Sequence, residues 1–109
     1  ENVPFTAHIT KLLAALENIP EAKRTARFYC VMVYLTHATD PAPVICQGMW
    51  EGRILPTPQG ENGFGYDPIF YVPTHKCSAA ELSLIEKNRI SHRGQALKHL
   101  LNFLTARAT

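Results

Sequence analysis

Cysteine is scarce in this 109-residue sequence, and the few cysteines present are poorly placed for cross-linking. Cys30, Cys46 and Cys77 are odd in number and widely separated, so they favour reduced thiols over a disulfide framework. No C-x-x-C pair is present, which argues against a zinc site built on cysteine.

Long apolar runs are also absent. No stretch approaches the roughly 20 consecutive apolar residues that a membrane span requires, and Glu1 is not followed by a charged leader with an apolar segment. We therefore expect a cytoplasmic protein without a membrane partner. With 46% hydrophobic and 18% charged residues, the composition is typical of one modest soluble domain.

Several catalytic signatures are missing as well. The glycines form neither a G-x-x-x-x-G-K-[ST] phosphate loop nor a G-x-G-x-x-G turn that runs into a helix. No serine lies in a nucleophile elbow, and Cys30 falls in an apolar run that predicts a buried strand, which is a poor setting for a nucleophile. Carboxylates do not cluster in a way that suits Mg²⁺. The residues alone therefore assign no catalytic residue and no metal ligand.

The patterns that are present predict an α/β fold. Apolar residues at spacings of three and four over residues 5–16 predict an amphipathic helix that ends before Pro20. The β-branched and aromatic run over residues 28–36 predicts an interior strand, and the segment "VICQGMWEGRIL" predicts the strand that returns after a turn in "HATDPAP". We expect a mixed sheet with a long antiparallel hairpin and flanking helices.

Two further helices are predicted in the last third of the chain. Ser78 lies three residues before Glu81, which is the pattern of a capping box ahead of a short helix. Ser91 is suited to cap a terminal helix. One side of that helix is predicted to be apolar and to comprise Ala96, Leu97, Leu100, Leu101 and Leu104.

The segment "GENGFGYDPIF", residues 60–70, combines three glycines with aromatic residues and an acid. Glycine lets a chain turn sharply or approach a ligand closely, and Pro68 leads into a short apolar strand. A structural turn explains the glycines alone. Phe64, Tyr66 and Asp67 favour a binding loop, because a ring can stack on a flat ligand and a carboxylate can accept hydrogen bonds.

Basic residues gather in "EKNRISHRG". Residues 1–70 carry 5 Lys+Arg against 7 Asp+Glu, a balance of −2, whereas residues 71–109 carry 6 against 2, a balance of +4. Lys87, His92 and Arg93 surround the start of the terminal helix, where cations oppose the macrodipole unless a ligand acceptor or anion compensates. A solvated polar turn is the alternative, and we assign Arg89 to it. Nucleic-acid binding is disfavoured, because aromatic residues are not interleaved with the cations.

The pieces "GFGYDPIF", "AAEL", "EKN" and "ISHRGQAL", in this order and spacing, resemble the Ham1/RdgB-like family of inosine triphosphate pyrophosphatases. The segments "ARFYCVMVYL" and "GMWEGRI" are similar to that family's central hairpin, so the likeness spans nearly the whole chain. The resemblance implies an ITPase-like fold. It also implies hydrolysis of non-canonical purine nucleotides (ITP, dITP and XTP) to the monophosphate and pyrophosphate.

Carried over residue by residue, the resemblance implies a pocket that holds a purine nucleoside triphosphate, with Mg²⁺ as the cofactor and a homodimer as the assembly. Phe64 would stack on the purine; the base and sugar pocket would be completed by Gly65, Tyr66 and Asp67, and closed by Lys87, His92 and Arg93.

Members of this family run to nearly twice this length, and their first half carries a T-G-N-x-x-K type phosphate loop and the acidic residues that bind Mg²⁺. We therefore expect residues 1–109 to be the C-terminal portion of a single ITPase-like domain that recognises the base and lacks catalytic and metal-binding residues. A catalytically inactive nucleotide-binding or oligomerisation module is the alternative.

Overall fold

The computed structural model describes residues 5–108, with side chains described for residues 5–106. Pro4 and the residues before it, which precede the first predicted helix, lie outside the described residues. The helices and strands follow in the order α1 (Phe5–Ala15), β1 (Thr25–Tyr34), β2 (Val44–Ile54), β3 (Phe70–Val72), β4 (Cys77–Ser78), α2 (Leu84–Ile90) and α3 (His92–Ala108). Short 3-10 turns cover Glu21–Lys23, Asp67–Ile69 and Ala79–Glu81.

The strands form one four-stranded sheet in the order β1-β2-β3-β4. β2 pairs with β3 in antiparallel register, with Arg53 opposite Tyr71, and β3 pairs with β4 in the same way, with Tyr71 opposite Ser78. β1 and β2 are sequential neighbours in this sheet, so the predicted hairpin and the α/β fold class are confirmed.

The prediction that residues 28–36 form an interior strand is wrong within the described residues. β1 begins at Thr25, ends at Tyr34 and lies at the edge of the four-stranded sheet. None of its ten residues is buried, and Tyr29, Val31 and Val33 are 55 to 57% exposed. The run of β-branched and aromatic residues sets the strand conformation, but it does not specify the place of the strand in the sheet.

Two compact units make up the chain. The first comprises the described part of Glu1–Arg27 together with Glu51–Leu84. Its core is formed by Ile9 of α1, Ile54 of β2 and Ile69, against which further apolar side chains of α1 pack. The amphipathic pattern over residues 5–16 therefore locates the buried face of α1 correctly, although Phe5 remains 45% exposed.

The second unit comprises Phe28–Trp50 and the described part of Ile85–Thr109. Helix α3 lies directly on β2 here, because a Cβ added to Gly48 would stand 2.9 Å from the backbone nitrogen of Ala96. Ala96 is accordingly buried, whereas Leu97 and Leu101, which belong to the predicted apolar side, are 46% and 52% exposed. Helical periodicity identifies one side of a helix, but it does not say how much of that side the strands cover.

Candidate functional site

The loop over residues 60–66 depends on glycines in the left-handed region of φ. Gly60 has a φ of +86° and Gly65 a φ of +64°, values that L side chains rarely adopt. A Cβ on Gly60 would also lie 2.7 Å from Cγ of Glu81 and 3.0 Å from the backbone of Ala80. At this position glycine supplies both the backbone conformation and the space for a close approach.

Hydrogen bonds tie both ends of this loop to its unit. At its start, the Gln59 amide donates to the Pro68 carbonyl at 2.8 Å, and the Ser78 hydroxyl donates to the Gln59 carbonyl at 2.6 Å. Further along, the Asn62 amide donates to the Ala80 carbonyl at 3.0 Å. The loop is therefore held by backbone groups rather than left free in solvent.

The predicted capping box is present and lies under the same loop. The Ser78 amide donates to Oε1 of Glu81 at 2.8 Å, and the Ser78 side chain in turn accepts from the backbone at the third position of the Ala79–Glu81 turn. The prediction of Ser78 and Glu81 as a reciprocal pair is thus confirmed, although the turn that they cap is a 3-10 turn and α2 begins only at Leu84.

Asp67 fixes the backbone that carries Phe64. The Asp67 carboxylate is buried, and its Oδ2 accepts a hydrogen bond from the Phe64 amide at 3.0 Å. The Phe64 ring is nevertheless 63% exposed. A fixed backbone with an exposed aromatic face is the arrangement that a stacking platform for a flat ligand requires.

Tyr66 is supported by helix α1, a contact that sequence reasoning missed. The Phe5 ring lies edge-on to the Tyr66 ring, with centroids 4.8 Å apart and an angle of 76° between their planes. A Cβ on Gly65 would come to 3.6 Å from the Phe5 ring. The helical periodicity shows that Phe5 lies on the apolar side of α1, but no local pattern shows that this side meets a loop 60 residues away.

The cationic residues of the second unit are carried by the turn between α2 and α3. Ser91 is buried there, and its hydroxyl accepts from the Gly94 amide at 3.1 Å, so the predicted cap of the terminal helix is confirmed. The Ser91 amide donates to the Lys87 carbonyl at 2.8 Å. Lys87 thus lies in the last turn of α2, and His92 and Arg93 begin α3.

His92 belongs to an aromatic cluster inside this unit. Its ring stacks on Phe28 with centroids 4.8 Å apart and 17° between the planes, and on Trp50 at 6.3 Å and 21°. The Phe28 and Trp50 rings are themselves 6.0 Å apart. The three rings form a triangle that restricts the orientation of the imidazole, and Trp50, which is 6% exposed, has a packing role there.

Arg89 does not join the other cations. Its guanidinium donates to Oε2 of Glu86 at 2.6 Å, one turn earlier on α2. The hydrogen bond and the charge of Glu86 raise the pKa of this guanidinium further above its ordinary value. Arg89 is therefore solvent-exposed as predicted, but it lies within α2 and not in a turn.

The seven predicted site residues divide between the two units. Phe64, Gly65, Tyr66 and Asp67 form one stretch of the first unit, and Lys87, His92 and Arg93 lie around one helix start in the second. Their use by a common ligand stays a prediction.

A metal site is not built from the described residues. Over residues 5–108 no group of three or more His, Cys, Asp or Glu side chains is arranged to hold a metal ion. Within residues 5–108, the side chains therefore do not fit Mg²⁺. None of the helices within the same residues has the length and apolar character needed to cross a membrane.

The Ham1 family model matches residues 2–103, and the chain belongs to this family. The match agrees with the resemblance seen in the sequence and covers both of the units that carry the candidate residues.

Similar proteins include one called dITP/XTP pyrophosphatase from Vibrio parahaemolyticus, which is 58% identical over 99 residues, covering 91% of this chain and 50% of that protein. The solved structure of a HAM1 protein from Coxiella burnetii superposes with a TM-score of 0.91 at 53% identity, covering 97% of this chain and 54% of the other. The Staphylococcus aureus Ham1 protein gives a TM-score of 0.87 at 41% identity, covering 98% and 54%. The chain spans about half the length of the curated relatives it matches.

Proposed function

We propose that this chain recognises the purine base for a nucleoside-triphosphate pyrophosphatase that acts on ITP, dITP and XTP. The observation that carries the proposal is the exposed ring of Phe64 on a loop whose backbone is fixed by the buried Asp67. Relatives that are 56% and 58% identical to it over the aligned residues are called dITP/XTP pyrophosphatase, which supports the same substrate class.

The base is proposed to be read through its 6-position. Hypoxanthine and xanthine carry an oxo group there, which accepts hydrogen bonds from donors such as Lys87 and Arg93. Adenine carries an amino group at the same place, and donors covered by the bound base would then stay unpaired at a cost of about 1–3 kcal/mol each. Two such donors are sufficient for strong discrimination against adenine nucleotides.

The reaction of the whole enzyme is proposed to be hydrolysis at the α-phosphorus. The oxygen of a water molecule bonds to that phosphorus and the water releases a proton to solvent. The bond to the bridging oxygen breaks, and pyrophosphate leaves with the electron pair of that bond, so that the nucleoside monophosphate remains. We propose that the groups that bind the phosphates, Mg²⁺ and the water lie outside residues 5–108. Robust Mg²⁺-dependent release of pyrophosphate from ITP by these 109 residues alone would contradict that proposal.

Base readout is tested by calorimetric titration of the chain with IMP and AMP. We expect IMP to bind at least about tenfold more tightly, because two unpaired donors at about 1–3 kcal/mol each cost at least about 2 kcal/mol, and 1.4 kcal/mol is tenfold in affinity. Lys87→Met should lower this ratio. Equal affinities of the unaltered chain for the two nucleotides would contradict the proposal.

Stacking by Phe64 has a different signature. Every base presents an aromatic face, so Phe64→Ala should weaken the binding of both IMP and AMP by about 1–3 kcal/mol. The ratio of the two dissociation constants should stay nearly unchanged. Tyr29→Ala is the matched control, because Tyr29 is also an aromatic residue that is more than half exposed, and it lies on β1. Equal effects of the two substitutions would show that Phe64 has no special part in binding.

An oligomerisation module without catalysis is the second candidate. The observation that favours it is the apolar exposed side of the second unit's strands, where Tyr29, Val31, Val33 and Ile45 are each more than half exposed. Large exposed apolar patches commonly mark interaction surfaces. Light scattering over a range of concentrations tests the proposed homodimer, and a monomer throughout would contradict it.

A further inference from the structure

Gln95 makes a set of hydrogen bonds that connects three backbone groups of the second unit. Its Nε2 donates to the carbonyl of Met49 at 2.8 Å and to the carbonyl of Ile90 at 2.9 Å. Its Oε1 accepts from the Met49 amide at 3.2 Å. One carboxamide therefore joins the middle of β2 to the end of α2, from a position in the first turn of α3.

The backbone around this carboxamide is tightly packed. A Cβ on Gly48 would meet the carbonyl oxygen of His92, and a Cβ on Gly94 would meet the carbonyl oxygen of Asn88. The same added atom on Gly48 would stand 2.9 Å from the Gln95 Cβ. The turn between α2 and α3 thus packs directly against the backbone of β2, and Gln95 makes the hydrogen bonds across that contact.

Glutamine is suited to this place by its chemistry. Its amide group offers two donors and an acceptor, which matches the two carbonyls and the single N–H that it meets. The Ile90 carbonyl is one of the last carbonyls of α2 and has no later partner within that helix. An apolar side chain of similar size at position 95 would fill the space but would make no hydrogen bond to these groups.

We propose that Gln95 is a positioning residue for base recognition. By joining the α2–α3 turn to β2, it sets where Lys87, His92 and Arg93 stand and so determines the preference for oxidised purines. This inference rests on the proposed function, because it requires those three side chains to read the base.

The test compares Q95E and Q95M with the control Q47E. Q95E keeps the size of the side chain but replaces the two donors with acceptors that repel the carbonyls of Met49 and Ile90. Q95M keeps the length and removes all hydrogen bonding. Q47E makes the same charge change on the same strand as Met49, at an exposed position.

The measured quantity is the ratio of the dissociation constants for AMP and IMP, determined by calorimetry on the same preparation. This ratio does not depend on the fraction of folded protein, so it separates positioning from stability. We expect Q95E to lower the ratio roughly tenfold, because small displacements of binding groups have large effects, and Q95M to lower it less. Q47E should leave it within about twofold of the unaltered chain, as expected for a surface substitution.

The outcomes separate this inference from the proposed function. An unaltered chain with no preference for IMP overturns the proposed function and the inference with it. An unaltered chain that prefers IMP, with the same ratio in Q95E and Q95M, overturns the role of Gln95 alone. If both affinities fall equally, Gln95 is purely structural and the inference is also overturned. Should Q95E fail to fold, the ratio of dissociation constants in Q95M tests the role of Gln95: a lowered ratio supports it, and an unchanged ratio overturns it.

Discussion

Gly60 offers a quantitative test of the loop that carries Phe64. Gly60→Ala places an L side chain at a φ of +86°, which costs about 1–2 kcal/mol. The new Cβ would lie 2.7 Å from Cγ of Glu81 and 3.0 Å from the Ala80 backbone, and overpacking of this kind costs about 1–3 kcal/mol. Loss of freedom in the unfolded chain offsets about 0.4–1 kcal/mol of this. The free energy of unfolding should therefore fall by about 1–4.5 kcal/mol.

Gly65→Ala is the matched control for this estimate. Its φ of +64° carries the same conformational cost, but the nearest atom to an added Cβ is 3.6 Å away, which is ordinary contact. Urea unfolding of the two variants should differ by the overpacking cost alone, about 1–3 kcal/mol. If Gly60→Ala and Gly65→Ala proved equally stable, the close approach of Gly60 to the Ala79–Glu81 turn would not exist in solution.

Two further predictions concern the helix cap and a thiol. Ser91→Ala should lower the free energy of unfolding by about 1 kcal/mol, because it removes the cap on the Gly94 amide. Equal urea midpoints for Ser91→Ala and the unaltered chain would contradict the cap. Burial, and then the charge of Glu81, raise the pKa of the Cys77 thiol, so less thiolate is present at pH 8 than in a free cysteine. The rate of alkylation of Cys77, measured by mass spectrometry at a series of pH values, should still rise with pH in the range where the rate for free cysteine is already constant. If the two rates become constant at the same pH, the raised pKa of Cys77 is contradicted.

Local signals in the sequence were sufficient for the helices, the hairpin and the caps, although not for the short strand β4. The pair of Ser78 and Glu81 and the cap at Ser91 each depend on residues within one turn of each other, and both were predicted correctly. The hairpin followed from two strand-forming runs and one turn. These features depend only on residue propensities and on spacings along the chain, both of which can be determined from the sequence.

Features that depend on distant contacts were not predictable in this way. The contact of Phe5 with Tyr66 and the bonds of Gln95 to Met49 join residues far apart in the chain. The exposure of Leu97 depends on which surfaces the strands cover, and a helical pattern contains no such information. Without the fold, Gln95 reads only as a polar residue near a helix start.

The two halves of the proposed site use different means to hold their groups. Phe64 needs only a fixed backbone, since a stacked ring tolerates small displacements. The hydrogen bonds of its amide and its carbonyl to Asp67 contribute to this. Donors that distinguish an oxo group from an amino group need positions accurate to a fraction of an ångström, because a hydrogen bond weakens steeply with distance and angle. On the proposed function, that requirement explains why the turn with Lys87 and His92 is joined to a strand by a fully used carboxamide and by direct backbone packing. Affinity and selectivity should then respond to different substitutions, with Phe64 governing the former and Gln95 the latter.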